Sequence, residues 1–336
     1  MSASVSRSLH RRIAALAETF PGQLGVSVRL VGHGSVVEID SDVPYPLASV
    51  YKVPIMATLF HRVAEGTVSL DTRLTLNECD KSLGSGDLQY FRAGARLTLH
   101  DLCHLMIVHS DNTATDMIHY RLGLDAPNEY MHSLGLNSFD IYCPNREYFL
   151  IFLGWSSRFR DMPLGKVARI WRDMTREERI EVFREVRRET AHRTAAEAQR
   201  LAAKLWGISD ERETRDMREA SEAMDNLGSP ADVSMLQELI VTHRVAPRQL
   251  TEQMLGYMLL CDARERLPKL IPEGVRVANK TGTVSGTVND TAVIFAGRGR
   301  VSICTCLSRG VRRKDLKTAE GVLSSIGLEV YRAFRR

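Results

Sequence analysis

Residues 275–307 read VRVANKTGTVSGTVNDTAVIFAGRGRVSICTCL and contain three runs rich in apolar and β-branched residues, VRVANK, TAVIFAG and RVSICTCL. Glycine-containing turns separate the runs, a pattern typical of consecutive β-strands. Residues 24–31 (LGVSVRLV) and 35–39 (SVVEI) show a similar pattern around Gly32 and Gly34, which predicts a β-hairpin near the start of the chain. We therefore expect one sheet assembled from both ends of the sequence.

Between these strands, apolar residues recur at helical spacing. The segments with this pattern are 8–19, 49–65, about 98–136 and about 315–333. From about 155 to 225 charged residues dominate, as in REERIEVFREVRRET, where Ile180, Phe183 and Val186 form a narrow apolar stripe. The pattern predicts an α+β fold, in which helices flank an antiparallel sheet and the site lies where the two parts meet.

We expect two subdomains. Residues 1–65 and 226–336 form the α/β sheet subdomain, and residues 66–225 form an all-helical subdomain. The helical subdomain includes a charged helical insertion at about 155–222.

The composition indicates an ordinary globular protein, with 336 residues of which 44% are apolar and 26% charged. A chain of this length can bury a core without help from a metal or cofactor, and we predict neither. The net charge of +4 is too small to indicate a nucleic-acid partner. Six cysteines occur without a CxxC pair, so we expect reduced thiols in the core.

The first twenty residues, MSASVSRSLHRRIAALAETF, contain no apolar stretch of secretory length. No segment of the chain reaches the roughly 18 apolar residues that span a bilayer. We therefore expect a cytoplasmic protein with no membrane partner, or a periplasmic or secreted one if the chain is a processed form. The inserted helices are a candidate homodimer surface.

The first motif that carries chemistry is Ser49-Val50-Tyr51-Lys52, at the start of a predicted helix. Residues three apart share one helix face, so the Ser49 hydroxyl and the Lys52 amine can meet. A lysine can remove the serine proton if burial or a nearby cation lowers its pKa. Alone the motif is weak, because a chain of this length contains about one SxxK by chance.

The second motif, Ser110-Asp111-Asn112, lies between an apolar run and a helix. Serine, aspartate and asparagine are preferred helix caps, so capping is the favoured interpretation of this motif alone. The third motif, Lys280-Thr281-Gly282-Thr283, follows VRVAN at the edge of the next turn. Its lysine and hydroxyl could bind a carboxylate, while an ordinary solvent-facing turn is the simpler interpretation.

Together the three motifs resemble the set found in class A β-lactamases and penicillin-binding proteins. The resemblance extends to the segments PLASVYKVPIM (46–56), LMIVHSDNTATDMI (105–118), LGSPADVSMLQEL (227–239) and VANKTGTVSGTVNDTAVI (277–294). It covers roughly residues 8–136 and 226–335.

The resemblance implies a serine hydrolase that acts on a small amide or β-lactam through an acyl-enzyme. Ser49 would be the nucleophile and Lys52 its base or proton relay. Ser110 would pass a proton between Lys52, Lys280 and the leaving nitrogen.

The remaining motif residues would bind the substrate. Asn112 would contact the substrate amide, and Lys280 and Thr281 its carboxylate. Gly282 would let the substrate approach the strand, and the backbone N–H group of Thr283 would share the oxyanion hole with that of the nucleophile.

One part of the family pattern is missing. Class A β-lactamases carry a loop of arginine, tryptophan, glutamate and proline, whose glutamate activates the deacylating water, and this chain has no such run. Glu213, Glu219 and Glu222 are candidates for that carboxylate, although a charged surface helix is the favoured interpretation of each. The insertion at about 155–222 either replaces the loop as a lid or acceptor-binding element, or is a surface or dimerisation segment.

Three functions therefore stay open at the level of sequence. The first is a β-lactamase-like hydrolase with atypical deacylation. The second is a cytoplasmic acyltransferase or amidase of specialised metabolism. The third is a penicillin-binding sensor that stays acylated, or a silent relative that keeps the fold.

Overall fold

The computed structural model describes residues 3–206, 213–297 and 299–335. Its main sheet has five antiparallel strands in the order β2-β1-β9-β8-β7. The strands are β1 (Gln23–Leu30), β2 (Gly34–Ile39), β7 (Val277–Val284), β8 (Thr287–Gly297) and β9 (Arg300–Arg309). The predicted hairpin and the pairing of the two chain ends through β1 and β9 are confirmed.

Four short strands form two small ladders outside this sheet. They are β3 (Tyr45–Pro46) paired with β6 (Leu227–Gly228), and β4 (Arg73–Thr75) paired with β5 (Arg96–Thr98). The β3–β6 ladder connects the segment before Ser49 to the segment that ends the helical insertion, so both lie at the same place in the fold.

Thirteen α-helices lie within the described residues. They are α1 (Ala3–Ala17), α2 (Lys52–Ala64), α3 (Leu99–Val108), α4 (Asn112–Leu122), α5 (Ala126–Ser133), α6 (Asn145–Phe152), α7 (Leu164–Asp173), α8 (Arg176–Glu189), α9 (Ala195–Trp206), α10 (Arg215–Met224), α11 (Pro230–Val241), α12 (Arg248–Leu259) and α13 (Leu316–Phe334). None of them is both long and apolar enough to cross a bilayer.

The sheet separates two hydrophobic cores. Helices α1 and α13 pack on one face, where Leu9, Ile13 and Ile326 are fully buried. Helix α11 packs on the other face and shares its core with α2, of which every residue from Lys52 to Phe60 is buried. Because α2 is surrounded in this way, the Ser49 end of the helix has a fixed position against the sheet.

The KTG motif lies inside a strand rather than at a turn. Strand β7 continues to Val284, and the Cα of Lys280 pairs with that of Thr291 on β8. The expectation that the motif marks the end of the strand is therefore wrong. The β-branched residues Thr281 and Thr283 favour continued extension, and the turn follows only at Ser285-Gly286.

The charged segment builds a third hydrophobic core together with α6. Ile180, Phe183 and Val186 are buried, which confirms the predicted stripe on α8. The Phe183 ring packs 5.2 Å from that of Trp171, measured between centroids. The insertion is thus attached to the helical part by apolar packing as well as by charged surface contacts.

Phe183→Ala should lower the free energy of unfolding by about 3–5 kcal/mol, because a fully buried ring is removed from this third core. Urea denaturation followed by circular dichroism measures the change. Leu260→Ala is the control, since Leu260 is 59% exposed and its truncation should cost less than about 0.5 kcal/mol. Equal losses in the two variants would contradict the packing described for α8.

Candidate active site

Ser49 lies in a tight turn held by a buried carboxylate. Residues Ala48–Tyr51 form a single turn of 3₁₀-helix that leads directly into α2. Ala48 has φ of 43°, a left-handed conformation that costs energy for a residue with a Cβ. Its N–H donates to Asp225 Oδ2 at 2.8 Å, so the contact supports the strained residue next to Ser49.

Lys52 is fully buried beneath this turn. Its Nζ donates to the Ser110 carbonyl oxygen at 2.7 Å, to Asn112 Oδ1 at 2.7 Å and to Ser110 Oγ at 3.1 Å. Two of these acceptors are carbonyl oxygens and can only accept, whereas the Ser110 hydroxyl can also donate. A neutral amine can therefore satisfy both carbonyls and still keep its lone pair.

The surroundings of Lys52 favour the neutral amine. Burial lowers the pKa of Lys52 well below its usual value, and the nearby Lys280 ammonium lowers it further. The carboxylates of Asp111 and Asp116 oppose this shift with smaller effects. A lysine with a lowered pKa is a competent proton acceptor near neutral pH.

Ser110 connects the two lysines. Its Oγ lies 3.1 Å from Lys52 Nζ and accepts from Lys280 Nζ at 3.0 Å. Its φ of 55° is again left-handed and aims the side chain back at the lysines. The capping interpretation is also correct, since the Asp111 side chain accepts from the N–H of Ala114 at the start of α4. One motif thus both starts a helix and places a hydroxyl.

Lys280 is fully buried on β7. Besides Ser110 Oγ, its Nζ donates to the Thr281 carbonyl oxygen at 3.0 Å. Burial is the main cause that lowers the pKa of Lys280. Thr281 is partly exposed next to it, and Thr283 is exposed with its Oγ1 accepting from Arg266 at 2.6 Å.

Gly282 lies directly against the nucleophile turn. A Cβ added there would come within 2.6 Å of the Leu47 carbonyl oxygen and 3.0 Å of the Ser49 nitrogen. Only a glycine allows β7 to approach the turn this closely. This close packing brings the backbone of Ser49 next to that of the KTG strand.

A cavity of about 700 Å³ opens beside this network. Ser49, Asn112 and Thr283 line it, so the structure brings residues of all three motifs to one place. The Asn112 side chain is already engaged, because its Oδ1 accepts from Lys52 and its Nδ2 donates to the Leu83 carbonyl oxygen at 2.8 Å.

The insertion contributes one wall of the cavity, through Gln199, Ala202 and Ala203 on α9 and Met217 on α10. Beside them Glu213 lines the cavity as well.

Of the three candidate glutamates, Glu213 alone lines the cavity. It accepts from Ser285 Oγ at 2.6 Å and from the N–H of Arg313 at 3.1 Å, and it pairs with Arg218. Glu219 pairs with the exposed Arg215. Glu222 accepts from the N–H of Gly310 at 2.9 Å. Glu213 and Glu222 thus attach α10 and the segment before it to loops of the sheet.

Two polar residues of the cavity were not predicted from the sequence. Asp225 is buried and holds the turn before Ser49. Asn145 donates to the Tyr51 hydroxyl at 2.6 Å on the same side of the cavity. The sequence contains one signal that could have indicated Asp225: it directly precedes Asn226, where the predicted sheet subdomain begins again. No local pattern linked it to Ser49.

This fold and the convergence of the three motifs place the protein in the class of β-lactamase-like serine hydrolases with the transpeptidase fold. The chain belongs to the Beta-lactamase enzyme family, whose sequence model matches residues 8–334.

The curated relatives match over part of their length. The chain is 28% identical over 139 residues to β-lactamase SME-1 of Serratia marcescens, covering 41% of this chain and 47% of that protein. It is 30% identical over 140 residues to a β-lactamase of Streptomyces albus G, covering 40% and 44%. The chain thus spans about half the length of these relatives.

Solved structures match over nearly the whole chain. A β-lactamase from Sphaerobacter thermophilus superimposes with a TM-score of 0.68 at 22% identity, covering 99% of this chain and 98% of that one. A PBP-A variant in an acyl-enzyme complex with penicillin G gives 0.70 at 21% identity, covering 98% and 96%. At these identities the likeness shows the fold.

Proposed function

We propose that this protein opens a β-lactam or a related amide through an acyl-enzyme on Ser49. The observation that carries the proposal is that two buried lysines meet at Ser110 Oγ, beneath the turn that presents Ser49 to a cavity. Such a network serves acyl transfer, since it can remove a proton from a hydroxyl and return one to a leaving nitrogen.

In this proposal the same groups carry out every proton transfer of acylation. Neutral Lys52 takes the proton of Ser49 Oγ as that oxygen attacks the amide carbon. Backbone N–H groups of Ser49 and Thr283 stabilise the oxyanion that forms. As the carbon–nitrogen bond breaks, Ser110 gives its proton to the leaving nitrogen and recovers one from Lys52. Lys280 and Thr281 bind the substrate carboxylate.

The relatives support this reading of the site. Three of them are β-lactamases by name, and the PBP-A variant forms an acyl-enzyme with penicillin G. We propose further that the insertion covers the cleft, since α9 and α10 form one wall of the cavity. Two other functions predict different outcomes. An acyl-enzyme that never hydrolyses would favour a penicillin-binding sensor. Transfer of the acyl group to an added amine would favour an acyltransferase.

Mixing the protein with a chromogenic cephalosporin tests the proposal. Intact mass spectrometry should detect one acyl group per chain, and Ser49→Ala should abolish that adduct because the attacking oxygen is gone. Ser85→Ala is the control: this serine also borders the cavity, and its variant should acquire the adduct like wild type. An adduct that survives in Ser49→Ala would refute the nucleophile.

A further inference from the structure

Hydrolysis of an acyl-Ser49 ester needs a base that activates water. The base must border the cavity, lie close to Ser49 and be free of a cation that would neutralise it. Glu213 fails on the last condition, because Arg218 and two further donors already occupy its carboxylate.

Asp225 meets all three conditions. It lines the cavity, and its Oδ2 is 2.8 Å from the nitrogen of Ala48, the residue that precedes Ser49. Its Oδ1 accepts from the N–H of Asn226 at 2.8 Å. Both partners are backbone N–H groups, and among the described residues no arginine or lysine forms an ion pair with this carboxylate.

The carboxylate of Asp225 retains capacity for a further partner. A carboxylate offers about four lone-pair sites, and the two backbone donors occupy two of them. Only 6% of the residue is exposed, so a water bound to the remaining sites would be held in the cavity rather than in bulk solvent. Burial raises the pKa of Asp225 to about 7, which makes its carboxylate a stronger base than an exposed aspartate.

We propose that Asp225 is the general base for hydrolysis of the acyl-Ser49 ester. The inference rests on the proposed function. The water oxygen forms a bond to the acyl carbon while a water proton passes to the Asp225 carboxylate. The bond from that carbon to Ser49 Oγ then breaks, and the proton held by Asp225 passes to Ser49 Oγ. The products are a carboxylic acid and the free enzyme.

Asp225→Asn separates this role from a purely structural one. The asparagine amide oxygen can still accept from the Ala48 N–H, and only the contact with the Asn226 N–H is lost, so the turn before Ser49 keeps its support and acylation should stay within about threefold of wild type. The side chain can no longer accept a proton, so deacylation should fall by at least about 100-fold. Stopped-flow measurement should then show a burst of one equivalent followed by slow turnover, with acyl-enzyme accumulating by intact mass.

The dependence of wild-type deacylation on pH provides a second readout. The carboxylate must be ionised to act, so the rate should rise as pH passes through about 7 and level off above it. Tyr51, Cys143 and Tyr148 face Asp225, and burial raises the pKa of each, so they stay neutral through this range.

Asp116 titrates near the same pH, since burial raises its pKa to about 7 as well. Its oxygens are held by the backbone N–H groups of Asn145 and Arg146, away from the cavity lining. Asp262→Asn is the control, since this exposed aspartate pairs with His109 and does not line the cavity, and the variant should keep wild-type deacylation.

Several outcomes would overturn the assignment. Rapid turnover by Asp225→Asn would contradict it. So would accumulation of acyl-enzyme in Glu213→Gln. A deacylation rate that does not change from about pH 5 to about pH 9 in the wild-type protein would also contradict it. A wild-type acyl-enzyme that never hydrolyses would also exclude the base while leaving acylation of Ser49 intact. Absence of any adduct would instead refute the proposed function itself. Should Asp225→Asn fail to fold, a flat wild-type profile would still refute the assignment.

Discussion

Lys52→Met is expected to lower the rate of Ser49 acylation by about 10³-fold, near the middle of the range for loss of a positioned general base. Methionine fills a similar volume but cannot accept the Ser49 proton. It also leaves the Ser110 carbonyl oxygen and Asn112 Oδ1 without their donor. The second-order rate constant of acylation, measured from the cephalosporin burst, gives the effect.

The pH dependence of acylation tests the same role. Because the amine must be neutral to take a proton, the wild-type rate should rise with pH through the lowered pKa of Lys52 and reach a plateau above it. Lys52→Met should lose that rise. Lys269→Met is the control, since Lys269 is exposed and pairs with Glu265. Equal acylation rates in Lys52→Met and wild type would exclude the amine as base.

The parts of the fold predicted from sequence are those with a local pattern. The glycine-separated runs at the two ends of the chain gave the strands of the sheet, and the α8 stripe identified buried positions such as Phe183. The end of β7 was misplaced, because Lys280 and Gly282 suggest a turn when read singly. Burial between β8 and the turn before Ser49 overrides that local preference.

The residues of the candidate site also fall into those with a local sequence pattern and those without one. Ser49, Lys52 and Ser110 carry a spacing or a motif, so the sequence could nominate them. Asp225 carries none, and its nearness to Ser49 arises from the pairing of β3 with β6. The sequence pattern therefore indicates only the glutamates of α10 and of the segment before it as candidate carboxylates. A tertiary contact of this kind depends on long-range pairing that no local window contains.

The insertion shows why length alone does not assign a role. Its charge pattern predicts a solvated helical surface, and the ion pair between Arg215 and Glu219 lies on such a surface. The same segment also buries Trp171 and Phe183 and carries Met217 to the cavity. A charged helix with one apolar stripe is compatible with both arrangements, and packing against α6 decides between them.

Gly282→Ala is expected to lower acylation of Ser49 by at least about 100-fold, comparable to the loss of an oxyanion-hole donor. The added Cβ would lie 2.6 Å from the Leu47 carbonyl oxygen and 3.0 Å from the Ser49 nitrogen. Both atoms belong to backbone, so either β7 or the nucleophile turn must move. A displacement of this size misaligns the N–H groups of Ser49 and Thr283.

Gly256→Ala provides the matched control, because a Cβ at that α12 position meets nothing within 4 Å. Its acylation rate should equal that of wild type, and its stability should be unchanged or slightly higher, since alanine favours the helix. Thermal unfolding of both variants separates misalignment from loss of fold. A folded Gly282→Ala that acylates at the wild-type rate would show that the strand and the turn are not held as closely as the packing of Gly282 requires.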